Sequence, residues 1–404
     1  MIGRMTRELG AGDTYGEFRI RTVLRKFRHA WVYEVDAPGH DAPLALKLSL
    51  EPVQSEEEAR RALREVAVLG TLTNPHVVSV HDSGMGPDEH WYILMEHLQG
   101  APLHQWHDFD LPLPAADAVG FIHQACLGLA EVHSVGIVHR DLTPERLWVG
   151  PDRTLKILDF SSARSWGAEA TGDNVTVGTV LTGTPQYTAP EQMFAPELTP
   201  AADVYALGQI LYELLSGHSP FHPDEPWSAA RARLADDPAA WFRAHAQTPP
   251  TPITGHPACA ELPTRLVELV HRCLDKDPSK RHPNAAALAN DLGWILHHEL
   301  GAARAAILNS VSPEGVLGFH LLLPGSHRVG FGPGFDVTLG PEGALLVAVI
   351  EWAGPPKPAE IVPAEDTPVL VNGQPAPGRT PLASNDEVLV HRHTLRLSYP
   401  PGQS

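Results

Sequence analysis

The chain has 404 residues, of which 43% are apolar, and its formal net charge is −18. This length favours two or three domains, and the negative charge excludes the basic surface that binding to nucleic acid or to an anionic membrane requires. The sequence lacks an apolar stretch of about 18 residues, the minimum for a membrane span, and its three cysteines are widely spaced. We therefore expect a cytoplasmic protein without disulfides and without nucleic-acid or membrane partners.

The amino-terminal part of the chain predicts a small sheet and one helix. Apolar and polar residues alternate, as they do in strands, at Phe18–Leu24, Trp31–Val35 and Leu44–Leu48. Helix-forming residues at helical spacing predict a helix over 56–69. Short apolar runs predict two further strands, at 77–80 and 91–95.

Helical patterns dominate from about residue 115 onward. The predicted helices cover residues 115–135, 201–216, 262–275 and 284–299. Residues 301–313 have the composition of a linker, and short β-like runs punctuated by glycine and proline follow it. These runs are at 319–323, 337–339, 345–350, 369–371, 387–390 and 394–397. We therefore predict an α+β chain: a tail (1–14), a β-rich lobe joined to a helical lobe (15–300), the linker, and a small β-sandwich (314–400).

Four short motifs follow one another in the two-lobed part. They are Ala-Leu-Lys at 45–47, His-Arg-Asp at 139–141, Asp-Phe at 159–160 and Gly-Thr-Pro-Gln-Tyr-Thr-Ala-Pro-Glu at 183–191. In this order they resemble the motifs of bacterial (Hanks-type) serine/threonine protein kinases. The resemblance implies a bilobal kinase fold that acts on protein substrates or binding partners. It also implies ATP and Mg²⁺ as cofactors if the chain is active, whereas an inactive member would need neither.

The resemblance also assigns catalytic roles residue by residue. Lys47 would contact the nucleotide phosphates, and Glu65 on the following helix would orient Lys47. Asp141 would accept the proton of the substrate hydroxyl, and Asp159 would hold the Mg²⁺ ion. The residues implied to line the adenine pocket, besides Lys47, are Val32, Ala45, Met95, Glu96, Leu98 and Trp148.

Trp148 is a departure, because the family has a small aliphatic side chain at this position, which forms the floor under the adenine. An indole is much larger, so Trp148 either fills the adenine slot itself or turns aside into the core and leaves the slot open. The phosphate-covering loop departs as well. Its glycine positions hold Arg25, Phe27 and Ala30, which impairs phosphate binding by the backbone. Either the loop is a plain β-hairpin, or charged residues at 26 and 28 replace the lost contacts.

Arg146 stands where the family has its second metal-binding residue, an asparagine. A guanidinium has no lone pair for a metal, and three alternatives are open. Arg146 could form a bidentate ion pair with Asp159 and occupy the metal site, contact phosphate in place of one metal, or extend into solvent. Thr143 also replaces the lysine that neutralises the transferred phosphoryl group, and Ser161 replaces a glycine of the metal loop. We therefore expect weak or absent phosphotransfer.

The resemblance extends to substrate docking and regulation. Thr184 and Glu191 would belong to the docking segment, with Arg281 as the partner of Glu191. Arg140 would pair with a phosphorylated activation loop, or would instead bind backbone carbonyls. Candidate phosphate acceptors are Thr171, Thr176, Thr179 and Thr182. The predicted regulatory set consists of Arg140, Arg146, Thr176, Thr179 and Thr182.

Residues 314–400 resemble, more weakly, a forkhead-associated (FHA) domain, a β-sandwich that binds phosphothreonine. The resemblance is carried by 329–339, 371–373 and 382–388. Phe331 occupies the position of the phosphate-binding arginine, so phosphothreonine binding would have to rest on Asn372 with Arg328 or Arg379. We favour an adaptor module that binds protein. The chain is then either a kinase-like signalling protein with weak phosphotransfer or, alternatively, a pseudokinase and adaptor.

Overall fold

The structure is a computed structural model. It describes residues 8–27, 30–52, 66, 70, 72, 74–86, 88–160, 162–165, 184–193, 198–300, 306–313, 317–322, 325–332, 335–340, 345–353, 357–365 and 367–399. The predicted helix at 56–69 lies outside these residues apart from Val66, and so do Glu65, Ser161 and the candidate phosphate acceptors Thr171, Thr176, Thr179 and Thr182. The expectations for these residues stay predictions.

The amino-terminal lobe contains a six-stranded antiparallel sheet with the order β1-β2-β3-β4-β6-β5. Its strands are β1 Thr14–Tyr15, β2 Phe18–Lys26, β3 Ala30–Asp36, β4 Leu44–Ser49, β5 Val80–Met85 and β6 Trp91–Glu96. The bounds predicted for β5, 77–80, were wrong. Val77 instead forms an isolated parallel bridge with Ile157 in the other lobe, so this apolar run ties the lobes together before the strand begins.

The carboxy-terminal lobe is mainly helical. Its helices are α1 Leu103–Trp106, α2 Ala115–Ser134, α3 Ala201–Ser216, α4 Trp227–Arg233, α5 Pro238–Gln247, α6 Thr264–Cys273 and α7 Ala285–His298. Short strands support them: β7 Ala101–Pro102, β8 Ile137–Val138, β9 Leu147–Val149, β10 Leu155–Ile157 and β11 Arg164–Ser165. Every residue of α3 is buried, so α3 forms the centre of this lobe. None of the helices that the structure describes is both long and apolar enough to cross a bilayer.

A β-sandwich follows. Its strands are β12 Ala306–Val311, β13 Leu317–Leu322, β14 Gly325–Phe331, β15 Val337–Thr338, β16 Leu345–Trp352, β17 Ala359–Pro363, β18 Val369–Val371, β19 Gln374–Pro375, β20 Thr380–Leu382, β21 Glu387–Val390 and β22 His393–Ser398. They form two sheets, β13-β12-β22-β21-β18-β19 and β15-β14-β16-β17-β20, around one apolar core. The α+β prediction of a bilobal fold followed by a small sandwich is therefore confirmed.

The expectation of a linker over 301–313 was wrong in part. β12 lies inside that interval and pairs with β22 from residue 307 to residue 311. Its partners come from β13 and from the far end of the chain, so local composition did not reveal it. The sandwich therefore begins by residue 306.

Candidate functional site

A buried carboxylate holds the backbone of the His-Arg-Asp segment. Asp203, in the first turn of α3, accepts hydrogen bonds from the amides of His139 and Arg140, both at 2.8 Å, and bonds His133 Nε2 at 2.9 Å. Burial alone would raise the pKa of Asp203, but these bonds outweigh it and hold the pKa below its usual value. Arg140 has a left-handed φ of 69°, a strained conformation that the bonds to Asp203 stabilise. The next side chain, Asp141, is thereby fixed in direction.

A second turn brings Asp159 to face this segment. The Leu158 amide donates to the Arg146 carbonyl at 2.9 Å, which joins the loop after β10 to the loop before β9. Asp159 has a φ of 62°, and the Phe160 ring is buried 4.6 Å from the His139 ring. The two loops therefore pack as one unit with both acids on the same side.

Four charged side chains meet there, and we call them the cleft cluster: Lys47, Asp141, Arg146 and Asp159. Lys47 Nζ lies 2.5 Å from Asp159 Oδ1, and Arg146 Nε lies 3.3 Å from Asp159 Oδ2. Arg146 Nη2 lies 2.6 Å from Asp141 Oδ2, while the Thr184 amide donates to Asp141 Oδ1 at 2.8 Å. All four carboxylate oxygens thus have a hydrogen-bond or ion-pair partner supplied by the chain itself.

The position of Arg146 corrects the prediction of a bidentate pair with Asp159 alone. The guanidinium instead bridges Asp141 and Asp159, and its side chain is 22% exposed. The reason is that the Thr184 amide occupies only one oxygen of Asp141, so the other attracts the arginine. The alternative of an arginine extended into solvent does not hold either.

The residues at this site do not fit Mg²⁺. Magnesium requires oxygen ligands in near-octahedral geometry, yet both oxygens of Asp159 are paired to cations and Arg146 has no lone pair to donate. Across the part of the chain that the structure describes, no group of three histidine, cysteine or acidic side chains could hold a metal. Anionic phosphate suits the two cations better.

The strand register brings together four of the residues expected to line the nucleotide pocket. Val32 pairs with Lys47, and Ala45 pairs with Met95. Since side chains two apart on a strand share a face, these four lie on one face of the sheet, opposite the packed Tyr33 side of the lobe. Val32, Ala45, Lys47 and Met95 are therefore neighbours in the fold.

The segment between β6 and β7, residues 97–100, joins the two lobes, and we call it the hinge. Glu96 and Leu98, both expected to line the adenine pocket, lie at its start. Glu96 Oε1 accepts from the Ser79 amide at 2.8 Å and from Lys156 Nζ at 2.7 Å, so this side chain is committed to positioning the hinge. Leu98 is half-buried. Trp148 is also half-buried, and its Nε1 donates to the Gln99 carbonyl at 2.9 Å. The indole thus points to the hinge and does not join the helical core.

β2 and β3 pair up to their ends, on either side of residues 28 and 29, which lie outside the described residues. Lys26 pairs with Trp31 in register, and the Phe27 amide donates to the Ala30 carbonyl at 2.7 Å. The Lys26 ammonium lies 4.3 Å from the centre of the Trp31 ring, which directs its charge to its own strand pair. The Lys26 part of the charged-loop alternative is therefore not supported, whereas its part that concerns residue 28 stays a prediction.

The docking segment is anchored from below. The two oxygens of Glu191 accept from Arg281 Nη1 and Nη2 at 2.7 and 2.9 Å, as expected. Tyr187 donates its hydroxyl to Glu213 at 2.8 Å. Thr184 contributes its backbone amide to Asp141, which places the segment directly beside the proposed base.

Sequence reasoning missed the partner of Glu145. This carboxylate lies between the His-Arg-Asp motif and β9, and it forms an ion pair with Arg231 of α4. Burial would raise the pKa of Glu145, but Arg231 outweighs it and the pKa lies below its usual value. Because α4 was not predicted from the sequence, no signal pointed to this cation.

The sandwich loops hold a different cluster. The Phe331 ring packs edge-on against His391 and His393, with ring centres 5.6 and 5.2 Å apart. Asn372 bonds Asp386 at 2.7 Å and the Glu387 amide at 2.9 Å. The candidate arginines are placed elsewhere. Arg379 pairs with Glu351 and Glu360, and Arg328 stacks over Phe335 at 5.0 Å.

Comparison with known proteins gives one consistent family. The description "Protein kinase domain" matches residues 28–292. The serine/threonine-protein kinase pkn3 of Myxococcus xanthus is 30% identical over 281 residues, covering 68% of this chain and 49% of the relative. PknL of Mycobacterium tuberculosis is 33% identical over 257 residues, covering 63% of this chain and 59% of the relative. For PknB of Mycolicibacterium smegmatis the figures are 32% over 235 residues, 57% and 35%.

The chain thus spans between about a third and three fifths of the length of these relatives. Among solved structures, the Mycobacterium tuberculosis PknI kinase domain superposes with a TM-score of 0.52 at 23% identity, covering 71% of this chain and 99% of that chain. At this identity the likeness establishes the fold.

Proposed function

Because the chain belongs to the protein kinase family, we propose that it is a serine/threonine kinase-like signalling protein whose transfer of phosphate from ATP to protein hydroxyls is weak or absent. The observation that carries the proposal is the bridge of Arg146 between Asp141 and Asp159. The guanidinium engages the proposed base and the proposed metal ligand at once. Both groups would have to leave it before acting in the way the family implies.

The chemistry of transfer supports the same conclusion. Phosphoryl transfer depends almost entirely on positioning and on neutralising charge in the transition state. Thr143, buried at the position of the family lysine, provides no charge, and Arg146 cannot bind metal. Losing one electrostatic group of this kind costs roughly 3–4 kcal/mol, or a factor of about 10²–10³ in rate. Two losses would leave a very slow enzyme.

A pseudokinase and adaptor role is the second candidate, favoured by the sandwich. Phe331, at the position expected for the phosphate-binding arginine, packs against His391 and His393. The side-chain amide of Asn372 donates to Asp386 and is therefore already paired within the sandwich. Such a surface is better suited to binding a protein than a phosphate dianion. We propose protein partners for both parts of the chain, without phosphothreonine recognition, and a cytoplasmic location.

A phosphorylation assay with the full chain tests the first proposal. The wild type is compared with a double variant, Thr143→Lys with Arg146→Asn, using Mg²⁺-ATP and a generic protein substrate. We expect the double variant to be at least about 10²-fold faster, because it regains two electrostatic groups. The matched control is Arg21→Asn, which changes an exposed arginine on β2. Fast transfer by the wild type, abolished by Lys47→Met, would overturn the proposal.

A further inference from the structure

We infer that the cleft cluster binds the polyphosphate of a nucleoside triphosphate as a free anion, with Lys47 and Arg146 as its counter-ions and without a divalent cation. The inference rests on the proposed function, because it concerns the same cleft. It adds the ligand and reverses the expected role of the metal. The disagreement between the residues present and Mg²⁺ is its starting point.

The two cations of the cleft cluster have N–H groups to spare. A guanidinium has five N–H groups; Arg146 donates one of them, from Nε to Asp159 Oδ2, and its Nη2 forms an ion pair with Asp141 Oδ2. Among the described residues, Nη1 has no partner. The Lys47 ammonium has three N–H groups, and its bond within the described residues goes to Asp159. Both cations can therefore bind phosphate oxygens while keeping their carboxylate partners.

The cleft cluster is accessible to a ligand from solvent. The side chains of Arg146 and Asp159 are 22% and 24% exposed, and that of Lys47 is 13% exposed. The cluster is thus partly enclosed, which strengthens its electrostatic interactions, yet it opens to solvent. Val32 and Met95 lie on the same sheet face as Lys47. This sheet face, to which Trp148 of β9 does not belong, gives a nucleotide base an apolar surface next to the phosphate-binding cations.

The charges of the cleft cluster favour a free phosphate chain over a metal complex. Two cations and two carboxylates make the cluster neutral, and both oxygens of Asp159 already have a positive partner. A magnesium ion entering here would lie close to Lys47 and Arg146 and be repelled by both. A free triphosphate carries more negative charge than its magnesium complex, so it gains more from the two fixed cations. Removing Mg²⁺ should leave binding intact or strengthen it.

The test is a calorimetric titration of ATP into the full chain, in excess EDTA and in excess Mg²⁺. For the wild type we expect binding in EDTA at least as tight as in Mg²⁺. In EDTA, Arg146→Asn should bind ATP at least about tenfold more weakly than the wild type, because a charge-assisted contact is lost. The same variant should bind more tightly with Mg²⁺ than without it, because Asp159 is released for metal. Arg21→Asn, the matched control, should behave like the wild type.

Inorganic triphosphate is titrated in parallel to separate the phosphate chain from the base. Equal binding of both ligands would assign all recognition to the cations and overturn the nucleotide as the ligand. No binding of ATP in EDTA, or binding that requires Mg²⁺, would overturn the inference. The proposed function fails separately, through fast phosphotransfer in Mg²⁺. A chain that binds ATP in EDTA yet transfers phosphate rapidly would refute that proposal and keep this inference.

Discussion

Two arginine–carboxylate clusters in the same lobe are built from the same chemistry and differ in what they leave free. Arg281 is fully enclosed, and it grips Glu191 with both Nη atoms. Its remaining bonds go to the carbonyls of Asp275, Ala201 and Lys276. Arg146 makes two ionic contacts and is partly exposed. The first arginine is saturated, whereas the second keeps donors for a ligand.

The difference indicates how one residue type serves the fold at one place and a site at another. Around Arg281 every donor is matched within the protein, so the ion pair can only hold the docking segment against α3. A buried pair of this kind stabilises weakly as a whole but is costly to break. Arg146 makes only two ionic contacts, so it has N–H groups left for phosphate beside its carboxylate partners. Substitutions that remove one partner at a time should separate these roles.

The largest expected effect comes from Arg281→Met. It leaves Glu191 without its cation and removes the donors that Arg281 supplies to three carbonyl groups. Removing one partner of a buried ion pair costs about 3–5 kcal/mol. We expect a loss of this size in the free energy of unfolding, measured by urea denaturation with intrinsic tryptophan fluorescence.

Two controls sharpen that experiment. Arg281→Lys keeps the charge but loses the planar fork, so it should fall between the wild type and Arg281→Met. Arg281→Met combined with Glu191→Leu removes both charges and should recover part of the loss. If Arg281→Met unfolds at the same urea concentration as the wild type, the enclosed cluster does not hold the fold.

The second prediction concerns Glu213, a buried carboxylate that has no arginine partner within the described parts of the chain. Its hydrogen bonds come from Tyr187, Gln209 and Trp227, all neutral groups. Burial raises the pKa of Glu213 to about 7 from an ordinary 4.5, despite the lowering effect of these bonds. The folded state therefore holds the proton more firmly than the unfolded state. The stability contributed by Glu213 is present below pH 4.5 and is lost as the pH rises towards 7.

Glu213→Gln removes this dependence because an amide does not ionise. Nearby charges are Glu145 and Arg231, which pair with each other, so both chains should share the remaining titrations. We expect the variant to gain stability relative to the wild type between pH 5 and pH 8, on the order of 2–3 kcal/mol. Urea unfolding across this range measures it. A stability difference that stays constant with pH would contradict the raised pKa.

The two arginine clusters differ in how far the sequence could predict them. The two-lobed fold was predictable because its motifs are local and occur in order, and the Glu191–Arg281 pair came with them. The proximity of Arg146 to Asp159 followed from the family position of Arg146. The bridge to Asp141 did not, because it depends on the Thr184 amide occupying the other oxygen of Asp141. That contact comes from a distant segment.

Other misses have the same physical origin. α4 and α5 are short and were not predicted, so Arg231 could not be assigned to Glu145 before the fold was known. β12 was missed because its partners are β13 and β22, of which β22 lies at the far end of the chain. Nothing in the sequence around residue 372 indicated that Asn372 would bond Asp386 and Glu387. Side-chain partners that are distant in sequence required the structure.

The third prediction returns to the cleft cluster. Arg146→Asn breaks two contacts, but Asp141 keeps the Thr184 amide and Asp159 keeps Lys47. Since the cluster is partly exposed, solvent can replace what is lost. We expect the free energy of unfolding to change by no more than about 1 kcal/mol, far less than for Arg281→Met. A loss as large as that of Arg281→Met would place Arg146 among the structural ion pairs and weaken its assignment as a ligand-binding residue.

The smallest effect is expected for Arg21→Ala on β2, which sets the lower limit of the scale. Arg21 is 45% exposed and pairs with Asp36 at 2.7 Å and with Glu34 at 3.8 Å. Exposed pairs gain little in water because screening and side-chain entropy offset the attraction. We expect the free energy of unfolding, measured in urea, to fall by less than about 0.5 kcal/mol. The loss should be smaller still at a salt concentration well above about 0.15 M, where screening is stronger. A larger, salt-insensitive loss would mean that exposure does not separate the structural arginines from the others, and the contrast between Arg281 and Arg146 would need another cause.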